Sequence, residues 1–264
     1  MNNKNLKAFE EYVNGFDISE PMIHLKLHHS IRVADIAEEI GAGIFHNNEI
    51  IDLCYNIGLL HDVGRFPQWT KYNSFNDLKT VDHADYSCDM LFGEAQLIRA
   101  FSIAEKWQQY LMNAIKYHNK LKIDVTELRA AVKENNLDYV LMLTLCKIIR
   151  DADKLDIFKI FIKNPTVERA EEYEKTGLSS ETMEEFRQHK TCNRKTVRTL
   201  LDRAIFLLAL PYDLNFDGSK RLFGLIAKDY ARSIVDIYST MLTAEDKKVL
   251  DECASEMLSF FNVK

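Results

Sequence analysis

The stretch Gly58-Leu59-Leu60-His61-Asp62-Val63-Gly64-Arg65 decides how this chain is read. A histidine followed at once by an aspartate offers a neutral imidazole nitrogen beside an anionic carboxylate, and both can converge on one cation where a helix ends or bends. Gly58 and Gly64 bracket the pair, and glycine marks a helix end or a close approach of two backbones. The apolar run Ile57 to Leu60 anchors the segment in a core, so the two candidate ligands project from a fixed base.

Two further segments supply partners. His29 lies in a helical pattern with apolar residues at Leu25, Val33, Ile36, Ala37 and Ile40. His28 points about 100° away round the same helix, so His29 is the expected ligand of the two. Downstream, Leu141 to Ile149 is strongly apolar and runs into Arg150-Asp151-Ala152-Asp153-Lys154-Leu155-Asp156. Carboxylates on a core helix need a cation or ion pairs, because burying them unpaired costs several kcal/mol. Arg150 and Lys154 could neutralise one or two of the three acids, less easily the third.

These segments resemble the H…HD…D pattern of the HD-domain metal-dependent phosphohydrolase superfamily. His29-Ser30-Ile31-Arg32-Val33-Ala34 resembles its first-histidine helix, Leu60 to Phe66 its signature and Ala152 to Asp156 its last-ligand helix, over roughly residues 22 to 165. The resemblance implies metal ligation by His29, His61, Asp62 and Asp153, with Asp151 as an acid behind the ligands or on the substrate side. His83 and His118 match the extra histidines of two-metal members, in which Asp62 would bridge two ions. The implied cofactor is one or two divalent ions: Mn, Fe, Co, Ni, Mg or Zn. Asn119 stands where cyclic-dinucleotide phosphodiesterases of the superfamily often carry a second histidine, and their glycine-tyrosine-proline signature is absent. The implied activity is hydrolysis of a phosphate ester or anhydride in a nucleotide or other small phosphorylated metabolite, with Asp62, Asp151 and Lys154 as the catalytic set. A di-iron oxygenase of the same superfamily and a non-catalytic nucleotide sensor are the rivals.

Residues 65–80 read as a loop, with Pro67, several amides and hydroxyls and no sustained apolar period. Arg65 and Lys79 are cations suited to phosphate oxygens, and Trp69, Tyr72 and Phe75 could stack on a base or anchor the loop.

Only 4 prolines and 9 glycines interrupt 264 residues dominated by helical periods, so the expected fold is all-α. Helices are predicted near 4–14, 21–45, 47–61, 82–95, 98–118 and 137–162. The expected organisation is a helical HD core over 1–165 and a helical extension over 166–264 packed on the same domain. Thr166 to Arg194 is charged and reads as a solvated connector or as short exposed helices. The turn Leu210 to Asp217 could approach the site from outside the family region. A net charge of −6 without a basic stripe argues against general nucleic-acid binding. Five cysteines, an odd total without a CxxC pair, argue against a disulfide framework or a zinc-thiolate site. No signal peptide or membrane span is visible, so a cytoplasmic enzyme is expected.

Overall fold

The computed structural model describes residues 2–167 and 170–263; Glu168, Arg169 and the two terminal residues lie outside this description. The chain divides into two compact units, residues 1–153 and 154–264. No membrane-crossing helix, long and apolar enough, occurs among the described residues. The β pairing among them is an isolated bridge between Glu174 and Thr199. The fold is therefore all-α, as the pattern of helical periods predicts.

The first unit is built from α1 (Asn2–Val13), α2 (Pro21–Ala42), α3 (Asn48–Leu60), α4 (Arg65–Tyr72), α5 (His83–Phe92), α6 (Glu105–Tyr117), α7 (Val125–Glu134) and the N-terminal part of α8 (Tyr139–Lys163). The pairing of α2 with α3 is the most extensive interface in this unit. It rests on Val33, Ala34, Ala37 and Ile40 of one helix and Leu53, Ile57 and Leu60 of the other, all buried. Gly58 is what lets them meet. A Cβ there would stand 2.7 Å from Ala34 Cα and 2.8 Å from the Val33 carbonyl oxygen, closer than any side chain permits. The edge-on rings of Phe9, Tyr12 and Phe66 tie α1 to the start of α4, and the Tyr12 hydroxyl donates to the Val63 carbonyl at 2.9 Å.

Three boundaries differ from expectation. Residues 65–72 form α4 instead of loop. Pro67 falls within the first helical turn, where its missing N–H has no partner to lose, and Asn73 closes the helix in the left-handed conformation at φ 50°. The helix expected over 98–118 is broken into a short 3-10 turn, Leu97–Ala100, and α6. In the gap, the Ser102 N–H donates to Asn5 Oδ1 at 2.7 Å. The unexpected α7 starts at Asp124, whose carboxylate accepts from the N–H groups of Thr126 and Glu127.

The second unit contains the rest of α8 together with α9 (Ser180–Arg187), α10 (Leu200–Ala209), α11 (Asp217–Gly224), α12 (Ala227–Ser239) and α13 (Ala244–Phe260). Its core is apolar and aromatic. Phe158, Phe223 and Tyr230 meet ring to ring at 4.8–5.8 Å, and α10 packs on α12 and α13. The charged stretch read as a solvated connector or as short exposed helices holds the short helix α9, and it is anchored. Thr182, Phe186 and Cys192 within it are fully buried, because each faces inward while the many glutamates around them face water.

Candidate metal centre

α3 ends at Leu60, and His61 to Gly64 form a turn before α4 begins. This turn is the bend that allows His61 and Asp62, adjacent in the chain, to face one point. Gly64 is needed on its far side, since a Cβ would lie 2.6 Å from the backbone nitrogen of Ser87 in α5. The same residue donates its N–H to Ser87 Oγ at 3.0 Å, which holds α5 and its first residue, His83, against the turn.

Four donor atoms converge within the first unit. His29 Nε2 lies 3.1 Å from Asp153 Oδ1 and 3.8 Å from Asp62 Oδ2. His61 Nε2 lies 3.5 Å from Asp62 Oδ2 and 3.8 Å from Asp153 Oδ1. A divalent cation with donors at about 2.0–2.2 Å sets neighbouring donors about 2.8–3.6 Å apart; two of these spacings fall in that range and the two at 3.8 Å lie just beyond it, so a small inward closure of the side chains would seat one such ion. Three of these donors, those of His29, His61 and Asp153, form a compact ligand group by themselves.

A second set faces the other oxygen of Asp62. His83 Nε2 and His118 Nε2 are 3.0 Å apart, at 3.7 and 4.0 Å from Asp62 Oδ1. His61, Asp62 and His118 also qualify together as a ligand group. The outer ring nitrogens fix which atoms carry lone pairs. His61 Nδ1 donates to the Gly58 carbonyl at 2.7 Å, and His118 Nδ1 to the Ile115 carbonyl at 2.6 Å. His83 Nδ1 lies 2.5 Å from Asp77 Oδ2. A carbonyl or carboxylate only accepts, so the protons sit on these outer nitrogens and the Nε2 atoms face inward as acceptors. Two facing acceptors 3.0 Å apart require a proton or a cation between them.

The charge states are those that ligands need. Burial pushes His61 towards its neutral form more strongly than Asp62 and Asp153 oppose it. Burial, reinforced by His83 and His61, holds His118 well below the usual histidine range. Burial alone would raise Asp62 and Asp153. For Asp62 the charges of Lys26, His61, Arg65 and His83 outweigh it, and for Asp153 the contacts with His29, His61 and His118 do so. Both stay ionised well below the usual carboxylate range. Imidazoles biased to the neutral form, as at His61 and His118, and ionised carboxylates, as at Asp62 and Asp153, suit ligation of a cation. His61 Nε2 and Asp62 Oδ1 are buried with no hydrogen-bond partner, an arrangement that is costly unless a cation completes it. The residues present therefore fit a divalent ion.

Other expected residues are placed differently. Arg65 is not a free cation beside the pair: its Nη1 donates to Gln68 Oε1, the Phe75 carbonyl and Asp77 Oδ1 at 2.8–2.9 Å. Trp69 packs its ring on Phe75, centroids 4.9 Å apart, and Tyr72 carries the Lys71 ammonium over its face. Lys79 is exposed. Asp151 is fully buried and belongs to neither ligand group. Lys154 pairs with Asp213 at 2.8 Å. Arg150 reaches the chain that follows α6. It donates to the carbonyls of His118, Lys120 and Leu121, among others, and so pins the chain just after His118, where α6 leaves its last carbonyls open.

Two contributors were not read from the sequence. Lys26, one turn before His29, donates to Asp62 Oδ2 at 2.6 Å. Asp77 links His83 to Arg65. The signal for Lys26 is its place on the His29 side of α2; for Asp77 it is an acid shortly before a histidine.

No curated protein and no solved structure matched the chain. The family model of the HD domain matches residues 27–157, a range that contains all six converging residues. The chain thus carries an HD domain, spanning residues 27–157.

Proposed function

We propose that this chain is a metal-dependent phosphohydrolase acting on a phosphate ester or anhydride of a small phosphorylated metabolite, nucleotides included. The reading is supported above all by Asp62, whose two oxygens address two separate donor sets, Oδ2 towards His29, His61 and Asp153 and Oδ1 towards His83 and His118. With these histidines and Asp153, a carboxylate so placed would be able to hold two divalent ions, which would supply charge stabilisation to both the attacking and the leaving oxygen of a phosphoryl transfer. When bound, a divalent ion supplies a hydroxide near neutral pH, by lowering the pKa of water from near 16 to about 7, and neutralises charge on phosphoryl oxygens.

The protein's share is positional. His29 and His61 offer acceptor nitrogens from α2 and from the turn after α3, and Asp153 offers its carboxylate from α8. Gly58 and Ile115 carbonyls hold the rings of His61 and His118, and Asp77 holds that of His83. Asp153, 20% exposed among otherwise enclosed ligands, marks the side from which substrate and water arrive.

The test is phosphate release from a panel of phosphorylated metabolites, run on metal-loaded and chelated protein and repeated without oxygen. Metal-dependent, oxygen-independent release is the expected result. Oxygen consumption with no phosphate release would move the assignment to di-iron oxygenase chemistry, and tight nucleotide binding without turnover to a sensor.

A further inference from the structure

We propose that Lys26 is a phosphate-binding residue controlled by the metal: a cation taken up by Asp62 draws that carboxylate away from Lys26 and frees its ammonium for the substrate's phosphate oxygens. This rests on the phosphohydrolase reading for the identity of the anion.

The key is a shared oxygen. Lys26 Nζ donates to Asp62 Oδ2 at 2.6 Å, and that same atom stands 3.5 Å from His61 Nε2 and 3.8 Å from His29 Nε2. An ammonium and a divalent ion drawn to one oxygen repel each other, so occupancy by either weakens the other. Asp62 is the acid with which Lys26 pairs among the described residues, and a cation at Oδ2 therefore leaves the ammonium in need of another anion. The surroundings suit phosphate. Lys26 is 15% exposed and Asp62 only 2%, so the lysine lies at the rim of the centre, where a ligand on the metal meets solvent. The Phe75 ring sits 5.5 Å from Nζ and carries Arg65 at 5.3 Å; it backs the ammonium with a π face and leaves its outer side to a ligand. Arg65 cannot take this part while it is tied to Asp77 and Gln68. A lysine on its four-carbon stem follows a phosphate oxygen over several ångströms as a mobile point charge.

Calorimetric titration of the full chain with Mn²⁺, and then of the Mn²⁺-loaded protein with inorganic phosphate, tests the idea in wild type, K26M and K26R. Removing the competing charge should make K26M bind Mn²⁺ about three- to tenfold tighter, and losing one charged donor should weaken its phosphate binding about tenfold. K26R keeps the charge and stays within about threefold of wild type for both ligands. Manganese affinity that is unchanged or weaker in K26M, or phosphate affinity that is unchanged, overturns the inference. The two failures are separable. If K26M behaves as expected while the wild type releases phosphate from no ester or anhydride, the hydrolase reading falls and the role of Lys26 stands. If the wild type hydrolyses phosphate compounds and K26M alters neither affinity, only the role of Lys26 falls. A wild type that binds no Mn²⁺ overturns both.

Discussion

Both units of the molecule bury aspartates, and Asp202 of the second and Asp62 of the first are completed in opposite ways. Asp202, in the first turn of α10, accepts from the Ser179 N–H and hydroxyl at 2.7 and 2.6 Å and from the N–H groups of Arg198 and Thr199 at 3.0 and 3.1 Å. The Thr199 hydroxyl answers by accepting the Asp202 N–H, which closes a capping box. Asp62 has no such set of donors. Lys26 is its one charged donor at hydrogen-bond distance, Oδ1 has the Arg65 Nε at 3.6 Å but no hydrogen-bond partner, and the other groups around it are imidazole nitrogens held with their lone pairs inward. Burial of an acid is therefore no sign of chemistry in itself. An acid met by backbone N–H groups is part of the scaffold, whereas one met by acceptors is waiting on a cation.

The contrast predicts opposite phenotypes, and these are the largest effects expected. Asp62→Asn should lower Mn²⁺ affinity by about two orders of magnitude or more while the stability of the chelated protein changes little, because the lost carboxylate was not satisfying backbone donors. Asp202→Ala should do the reverse. Leaving its buried donors without an acceptor costs on the order of 3 kcal/mol in urea denaturation, with Mn²⁺ affinity intact. If the two variants share one phenotype, the distinction between scaffold and site fails.

Asp77→Asn sharpens the account within the first unit. The amide no longer holds His83 as a carboxylate does, so the second ion should weaken about tenfold and the first should not. Elemental analysis at limiting metal would then read near one ion per chain where the wild type reads near two. Gly58→Ala acts earlier, on the contact that brings His29 and His61 together. The added methyl meets the α2 backbone, and parting the helices should cost about 1–3 kcal/mol and weaken metal binding together, read by denaturation and titration on one sample.

The smallest effect is a slope with pH. His61 and His118 take up protons less readily in the folded protein than the ordinary value of 6.5. Below that pH the unfolded chain gains protons that the native state refuses, so native stability falls as pH drops below about 6.5. The Tm of chelated protein should therefore decline from pH 7.5 to 5.5, and His118→Asn should flatten the decline.

Much of this site is legible from residue types alone. A histidine–aspartate pair between glycines, a histidine on the inner face of a helix and an aspartate on an apolar helix all announce burial of groups that need a cation. What escapes is whatever depends on a long-range partner. Lys26 shares the His29 side of its helix, but its partner is not visible until Asp62 is placed 2.6 Å from it. Asp77 lies in the loop between α4 and α5, where nothing local shows that its carboxylate meets His83 and Arg65. Arg150 sits among acids and reads as their counter-charge, and nothing local announces that its guanidinium also serves carbonyls some thirty residues upstream in sequence. Phe186 and Cys192 were hidden by the glutamates around them, since a few inward-facing side chains suffice to anchor a segment whose composition is mostly polar.

The most direct trial of the central claim is anomalous diffraction from crystals of the full chain equilibrated with Mn²⁺. Two manganese peaks should appear on opposite sides of the Asp62 carboxylate, one within bonding distance of His29, His61 and Asp153 and the other of His83 and His118. Crystals in which no peak lies within reach of His29, His61, Asp62 and Asp153 would contradict it.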